Sequence, residues 1–326
     1  MSDTTEINNI QLEYTTKTWL KRQLKKEYNI TKLCGDAGSR TYYRIVSESG
    51  EKFILSYDTC TLQMEQFIRL SKILTKQGVI TPRIITYDFN YGLLLQSDFG
   101  DDLLAAFTKD PNYEAIYKRC IDQILKIKTT PTNKIDSFDY KKLTSEVLLS
   151  KEWYINSYCK YNLNIEEIKY FEDTSHNICE KILRLPYNFV HRDYHSRNIF
   201  ILPENQIGII DFQDAVSGPY CYDLVSLLRD YYNPLSKSTL ESYIEYYYSK
   251  TEPNITKTQF KSEFHLVALQ RHLKVLGIFC RLAIRDNKRN YLQYLPTVIN
   301  YIKDSVDLHP EYQGIYELIL KVKNDC

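Results

Sequence analysis

Phe189-Val190-His191-Arg192-Asp193-Tyr194-His195-Ser196-Arg197-Asn198-Ile199-Phe200 is the stretch that decides the reading of this chain. It runs apolar, polar, apolar: Phe189 and Val190 lead in, Ile199 and Phe200 lead out. That pattern predicts a short strand pair at 188–191 and 199–210, interrupted by a polar loop. Thirteen residues beyond Asn198, the apolar run Ile207-Gly208-Ile209-Ile210 ends on Asp211. Three side chains in this frame have complementary chemistry. Asp193 can accept the proton of a hydroxyl group. Asn198 and Asp211 offer hard oxygen ligands of the kind that hold Mg²⁺ jointly with phosphates. Phosphoryl transfer asks for little else, because alignment and charge neutralisation do most of the work.

The flanking sequence is strand-rich before residue 97 and helical after it. A helical pattern over 13–28 places Trp19, Leu20 and Leu24 on one face. Residues 33–39 are small and turn-forming, 42–46 and 52–57 read as strands around a turn at Ser49-Gly50-Glu51, and 61–77 reads as a helix. Two further strands are expected at 83–88 and 92–96. Beyond Ser97-Asp98-Phe99-Gly100, apolar residues recur at helical spacing over 101–108, 112–128, 140–160, 220–231, 237–249, 257–285 and 291–304. The pattern taken alone supports an α+β fold. The expected division is a smaller β-rich unit, 1–97, and a larger helical unit, 98–326.

Composition narrows the function classes. The 326 residues carry a net charge of +1, which gives no reason to expect nucleic acid or a membrane surface as partner. The first ten residues contain Asp3 and Glu6 and no apolar core, so they do not read as a signal peptide. No apolar run reaches the roughly 20 residues of a spanning helix. The eight cysteines show no Cys-x-x-Cys spacing, and reduced thiols in a cytoplasmic protein are expected.

The loop matches the kinase pattern H-R-D-x-x-x-x-N in every fixed position, and Asp211 stands where kinases place a metal-binding Asp. The chain resembles the aminoglycoside phosphotransferase superfamily. It lacks the Ala-Pro-Glu of protein kinases: Asp211-Phe212-Gln213-Asp214-Ala215 leads instead to Pro219, Tyr222, Asp223 and Leu224. Several stretches are similar to bacterial kinases that phosphorylate N-acetylmuramate and N-acetylglucosamine at the anomeric hydroxyl during cell-wall recycling. They are Gly35 to Arg44, Leu94 to Gly100, Asp211 to Val216 with Gly218-Pro219, Tyr222 to Asp230, and Gln270 to Phe279.

The resemblance implies a two-lobed kinase-like fold, ATP and Mg²⁺, and a small-molecule amino sugar as acceptor. It implies Asp193 as base and Asn198 and Asp211 as metal ligands. Gly35, Gly38, Ser39, Arg40 and Arg44 become candidates for the nucleotide phosphates, and Gln96, Ser97 and Asp98 for the adenine. His195, Arg197, Asp214, Arg229, Arg271 and Lys274 are the substrate candidates. Asp223, at a helix start, is expected to brace the catalytic loop. The cations Arg229, Arg271, Lys274, Arg281 and Arg285 suit an acidic acceptor better than a polycation. Kinases of choline, homoserine or an aminoglycoside, and a nucleotide-binding pseudokinase scaffold, are the alternatives. One departure stands out: matching Phe53-Ile54-Leu55-Ser56 to the third strand puts Ser56 where kinases carry a phosphate-binding Lys. Lys52 faces the same side further back, and Glu65 has no evident Lys partner.

Overall fold

The computed structural model describes residues 16–25, 27–33, 40–58, 60–108, 110–251 and 254–324. It divides into two compact units, Met1–Thr75 with Ile80–Asp101, and Lys76–Val79 with Asp102–Cys326. The first carries a sheet and the second is mostly helical, which is the α+β, two-lobed kinase-like architecture.

In the first unit, residues 16–24 form a helix (α1). The sheet has five antiparallel strands: Tyr28–Leu33 (β1), Thr41–Ser47 (β2), Lys52–Tyr57 (β3), Ile84–Asp88 (β4) and Leu93–Ser97 (β5), in the order β1-β2-β3-β5-β4. A helix, Thr61–Lys76 (α2), joins β3 to β4. The sequence pattern ran the first helix through residue 28 and missed β1. That strand lies at a sheet edge, and none of its residues is fully buried, so its alternation is faint. Trp19 and Leu20 of α1 pack on Ile45, Leu55, Leu93 and Leu95, and this apolar seam sets α1 on the sheet. Gly92 is required where β5 begins. Its φ is +63°, and a Cβ would sit 2.1 Å from the Asp58 carbonyl oxygen.

The second unit is organised on one long helix, Lys257–Arg285 (α8). Against it pack Tyr140–Leu149 (α4), a π-helical segment Ser150–Tyr158 that continues it, Tyr222–Leu228 (α6) and Leu295–Val306 (α9). Gly277 makes the α8 approach possible, since a Cβ there would lie 2.2 Å from the Leu149 carbonyl carbon. The other helices are Tyr113–Ile127 (α3), Ile165–Leu183 (α5), Lys237–Thr251 (α7) and Gln313–Asn324 (α10). The sequence pattern had not marked α5 or α10. The start of α5 was nevertheless written in the chain: Asn164 and Glu167 form a reciprocal capping box. The helix expected over 101–108 is only a single 3₁₀ turn, Leu104–Ala106.

The strand pairing around the decisive loop also differs from expectation. Tyr187–Val190 (β6) pairs antiparallel with Val216–Pro219 (β9), while Ile199–Leu202 (β7) pairs with Gln206–Ile209 (β8). The cause is a reversal at Pro203–Asn205, where Glu204 and Asn205 take φ of +60° and +55° and fold the run 199–210 back on itself. The polar loop therefore connects two separate ladders, and Asp211 follows directly on β8. Among the described residues no helix is long and apolar enough to cross a membrane.

Candidate active site

The loop 191–198 is held at both ends by carboxylates. Asp223, in the first turn of α6, accepts the backbone N–H of His191 at 2.8 Å and of Arg192 at 3.0 Å. Asp230, just beyond the end of α6, accepts the N–H of Ser196 at 2.8 Å and of Tyr232 at 2.8 Å. Arg192 takes φ of +77°, a conformation a non-glycine residue holds only when its surroundings fix it. The bracing expected of Asp223 is present; Asp230 is its counterpart at the far end. Burial pushes the Asp223 carboxyl up to about 7 against the pull of its two amide donors, with Asp193 adding to the rise.

Asp193 follows the constrained Arg192. Burial would raise its carboxyl, but Lys274 above all, with His195, Arg192 and Arg271, outweighs this and holds it at about 2. It is therefore ionised throughout the neutral range. Asn198 donates from Nδ2 to the Asp193 carbonyl at 2.9 Å and lies 3.5 Å from Asp211 Oδ2. Asp211, at φ +65°, accepts from Gln213 Nε2 at 2.8 Å. The His191 ring reaches across to the Ile210 carbonyl at 2.9 Å, tying the catalytic loop to the segment that presents Asp211. Burial lowers the His191 pKa, so the ring is neutral and Nε2–H is the donor.

A third carboxylate, Glu146 of α4, collects the cations behind the loop. It accepts Arg192 Nη2 at 2.5 Å, Lys274 Nζ at 3.2 Å and Gln270 Nε2 at 3.3 Å. Burial opposes its charge, yet Lys274, Arg192 and Gln270 outweigh that and keep its carboxyl below the usual range. Sequence reasoning passed over Glu146. Its signal was a charge on the apolar face of a helical pattern, in line with Leu143, Val147 and Ser150.

The substrate candidates fall into different settings. Lys274 is matched by Glu146 and also lies 3.4 Å from the Tyr222 hydroxyl. Arg229 pairs with Asp304 at 2.5 Å and stacks on Tyr301. Arg197 stacks on Tyr232 at 3.7 Å and donates to the Tyr294 hydroxyl at 2.9 Å. His195 makes a T-shaped contact with Tyr232, with Tyr231 tilted beside it, and burial lowers its pKa. Asp214 receives a long contact from Gln213 at 3.4 Å. Arg271 donates from Nε to Ser226 Oγ at 2.8 Å, and Ser226 Oγ donates on to the Arg192 carbonyl at 3.1 Å.

In the first unit, Arg40 pairs with Asp58 at 2.9 Å and with Gln63 at 3.1 Å. Arg44 reaches Asp98 at 2.6 Å, Asp101 at 2.9 Å and the Gly100 carbonyl at 3.0 Å. Both guanidinium groups are thus engaged by carboxylates of their own unit. Ser97 Oγ accepts the Arg83 N–H at 2.8 Å, and Gln96 is buried on β5. Ser56 is buried on β3, whereas Lys52 is exposed at its start, about 13 Å away along the strand. Gly35, Gly38 and Ser39 lie outside the described residues. In the chain they fall between β1 and β2, which pair antiparallel.

An ionised carboxylate beside a pair of hard oxygen donors, on a two-lobed α+β fold, defines a phosphotransferase of kinase-like type. Residues 29–258 match the model of the phosphotransferase enzyme family, and the chain belongs to that family. It is an ATP-dependent kinase of a small polar substrate. Over 97% of its length, and 98% of the relative's, the chain is 28% identical to an N-acetylmuramate/N-acetylglucosamine kinase of Pseudomonas putida. It is 29% identical to the protein of the same name from Pseudomonas aeruginosa, over 87% of this chain and 86% of that one. Among solved structures, the choline kinase LicA of Streptococcus pneumoniae superposes with a TM-score of 0.66 at 12% identity, covering 93% of this chain and all of the other, which shows the shared fold.

Proposed function

We propose that this protein transfers the γ-phosphoryl group of ATP to the anomeric hydroxyl of N-acetylmuramate and N-acetylglucosamine, in the cytoplasm, in the recycling of peptidoglycan sugars. The observation that carries this reading is the near full-length similarity to relatives of that name, from a chain whose catalytic loop keeps every fixed residue. Asp193 is the base that takes the acceptor's proton. A hemiacetal hydroxyl gives up its proton more readily than an ordinary alcohol, which suits a carboxylate held at about 2.

Asn198 and Asp211 are the residues that would hold Mg²⁺. The donor set fits: Asn198 has its Nδ2 on a backbone carbonyl and 3.5 Å from the Asp211 carboxylate, and no hydrogen bond to its Oδ1 is made among the described residues. Among the described residues no three His, Cys, Asp or Glu side chains gather to hold a metal by themselves. When bound, the cation would supply neutralisation of the phosphate charge. Gly35, Gly38, Ser39, Arg40 and Arg44 are assigned to the phosphates, and Gln96, Ser97 and Asp98 to the base of the nucleotide. Residues 1–97 serve as the nucleotide unit and 98–326 as the catalytic and acceptor unit.

Phosphorus NMR of the product tests the reading. With either sugar and Mg·ATP, a sugar 1-phosphate resonance is expected, and a 6-phosphate, or no turnover of either sugar, rejects it.

A further inference from the structure

The cations around Asp193 are not equivalent. Arg192 and Lys274 share Glu146, and Arg229 has Asp304. Arg271 is buried to 2% exposure and has no carboxylate within ion-pair distance among the described residues. Among the described residues its one side-chain hydrogen bond goes to a hydroxyl, Ser226 Oγ, and its buried Nη1 has no partner. A buried guanidinium without a counter-ion is costly to hold, because desolvation is not repaid by an ion pair. The local groups nevertheless keep it charged. Burial presses its pKa down, while Tyr231, Tyr222, Asp193 and Asp230 raise it above the ordinary guanidinium range.

Its location says which anion completes it. Arg271 lies within electrostatic reach of Asp193 and His195 of the loop. It is anchored through Ser226 to the Arg192 carbonyl, one residue before the base.

We propose that Arg271 is the specificity-determining residue for an acceptor carboxylate, the lactyl group that distinguishes N-acetylmuramate from N-acetylglucosamine, which it receives on Nη1. This rests on the sugar-kinase reading above and separates Arg271 from Arg192, Lys274 and Arg229, which have protein counter-ions.

Two experiments test it on the full-length protein. The first needs no variant: the methyl ester of N-acetylmuramate keeps the shape of the substrate and removes the charge. Its KM is expected to exceed that of the free acid by about 10- to 150-fold, the range of a charge-assisted hydrogen bond. Equal KM values for acid and ester overturn the proposal. In the second, Arg271→Met and Arg271→Lys are compared on both sugars, with folding followed by circular dichroism. The loss in kcat/KM on N-acetylmuramate is expected to exceed that on N-acetylglucosamine by the same factor in Arg271→Met, and by less in Arg271→Lys. Equal losses on the two sugars make Arg271 a brace of the loop through Ser226 and overturn the proposal. A rise in the KM for ATP alone places its anion on the nucleotide and also overturns it. Failure of the wild-type protein to phosphorylate either sugar is a different result: it rejects the sugar-kinase reading and this assignment with it.

Discussion

The Asp223 carboxylate accepts the backbone N–H of Arg192 at 3.0 Å, on a residue whose φ is +77° and whose next neighbour is Asp193. The second oxygen of Asp223 takes the His191 N–H at 2.8 Å, so two adjacent amides converge on one side chain. The strained geometry at Arg192 is thus braced from α6. An asparagine offers one acceptor oxygen in place of two. Asp223→Asn is expected to leave one buried N–H without a partner and to cost about 1–3 kcal/mol of stability. Turnover should fall while ATP binding is retained, because Asp193 loses its placement. Urea unfolding and kcat measured on the same preparations check this; unchanged values for both would remove Asp223 as the brace.

Glu146 gives the pH dependence. Its folded-state pKa is lower than its unfolded one, so its contribution to stability is full above the unfolded value, about 4.3. It is lost as the pH falls below that and through the folded value. At neutral pH, Glu146→Gln leaves Arg192 and Lys274 buried without their shared counter-ion, and a loss of about 3–5 kcal/mol is expected. The gap between wild type and variant should narrow as the pH drops below about 4.3. Denaturant titrations between neutral and acid pH are the measurement, and a gap independent of pH would exclude an ionised Glu146.

What the sequence made legible, and what it did not, follows from where the information lies. Asp193, Asn198 and Asp211 could be singled out because the kinase pattern sets particular residue types at close sequence spacing, and the fold brings Asn198 to 3.5 Å from Asp211. The N-terminal sheet was readable from β2, β3 and β5 as short runs rich in apolar and aromatic residues bounded by turn residues. Strand β1 was not, since an edge strand has little to bury. The pairing of β6 with β9 was hidden because the partners stand far apart in the chain and the turn at Glu204 depends on positive φ at non-glycine residues. Glu146 and Arg271 show the same limit from the side of charge. Composition counted cations in the helical unit, but only the packing of α4, α6 and α8 tells which has a counter-ion.

Gly277 carries the packing prediction. Its hydrogen faces the junction of α4 and the π-helical segment, and a methyl group there would stand 2.2 Å from the Leu149 carbonyl carbon and 2.6 Å from the Ser150 nitrogen. Both neighbours are backbone and cannot swing aside. Gly277→Ala improves helix propensity in the middle of α8, worth about 1 kcal/mol, but overpacking costs about 1–3 kcal/mol. The net effect is expected to be destabilising, seen as a lower thermal midpoint. A raised midpoint would show that α8 can shift away from α4.

Asp211→Ala tests the metal assignment. Removing the carboxylate takes away the only charged oxygen of the proposed pair and leaves Asn198 alone to face the cation. Mg·ATP binding is expected to weaken and phosphoryl transfer to be lost. Both N-terminal arginines assigned to the phosphates already bond to Asp58 or Asp98, so little charge is at hand to compensate. Titration calorimetry with Mg·ATP is the check, and an affinity equal to wild type would take Asp211 out of the metal site.

Asp193→Asn should behave in the opposite way, and the contrast is what separates a base from a metal ligand. The Asp193 carbonyl, not its carboxylate, holds Asn198 in place at 2.9 Å, so the substitution keeps the hydrogen bond that positions that residue. Nucleotide affinity is expected to stay near the wild-type value. The amide cannot accept the acceptor's proton, and positioned acid–base groups contribute about 10²–10⁴-fold to rate. The surrounding cations sharpen the effect: Lys274, Arg192 and Arg271 all act on the Asp193 charge, and in the variant that field meets no anion at the site where the proton must go. Single-turnover rates on the preformed Mg·ATP complex isolate this step from binding. A variant that keeps more than about a tenth of the wild-type rate would show that the proton leaves by another route.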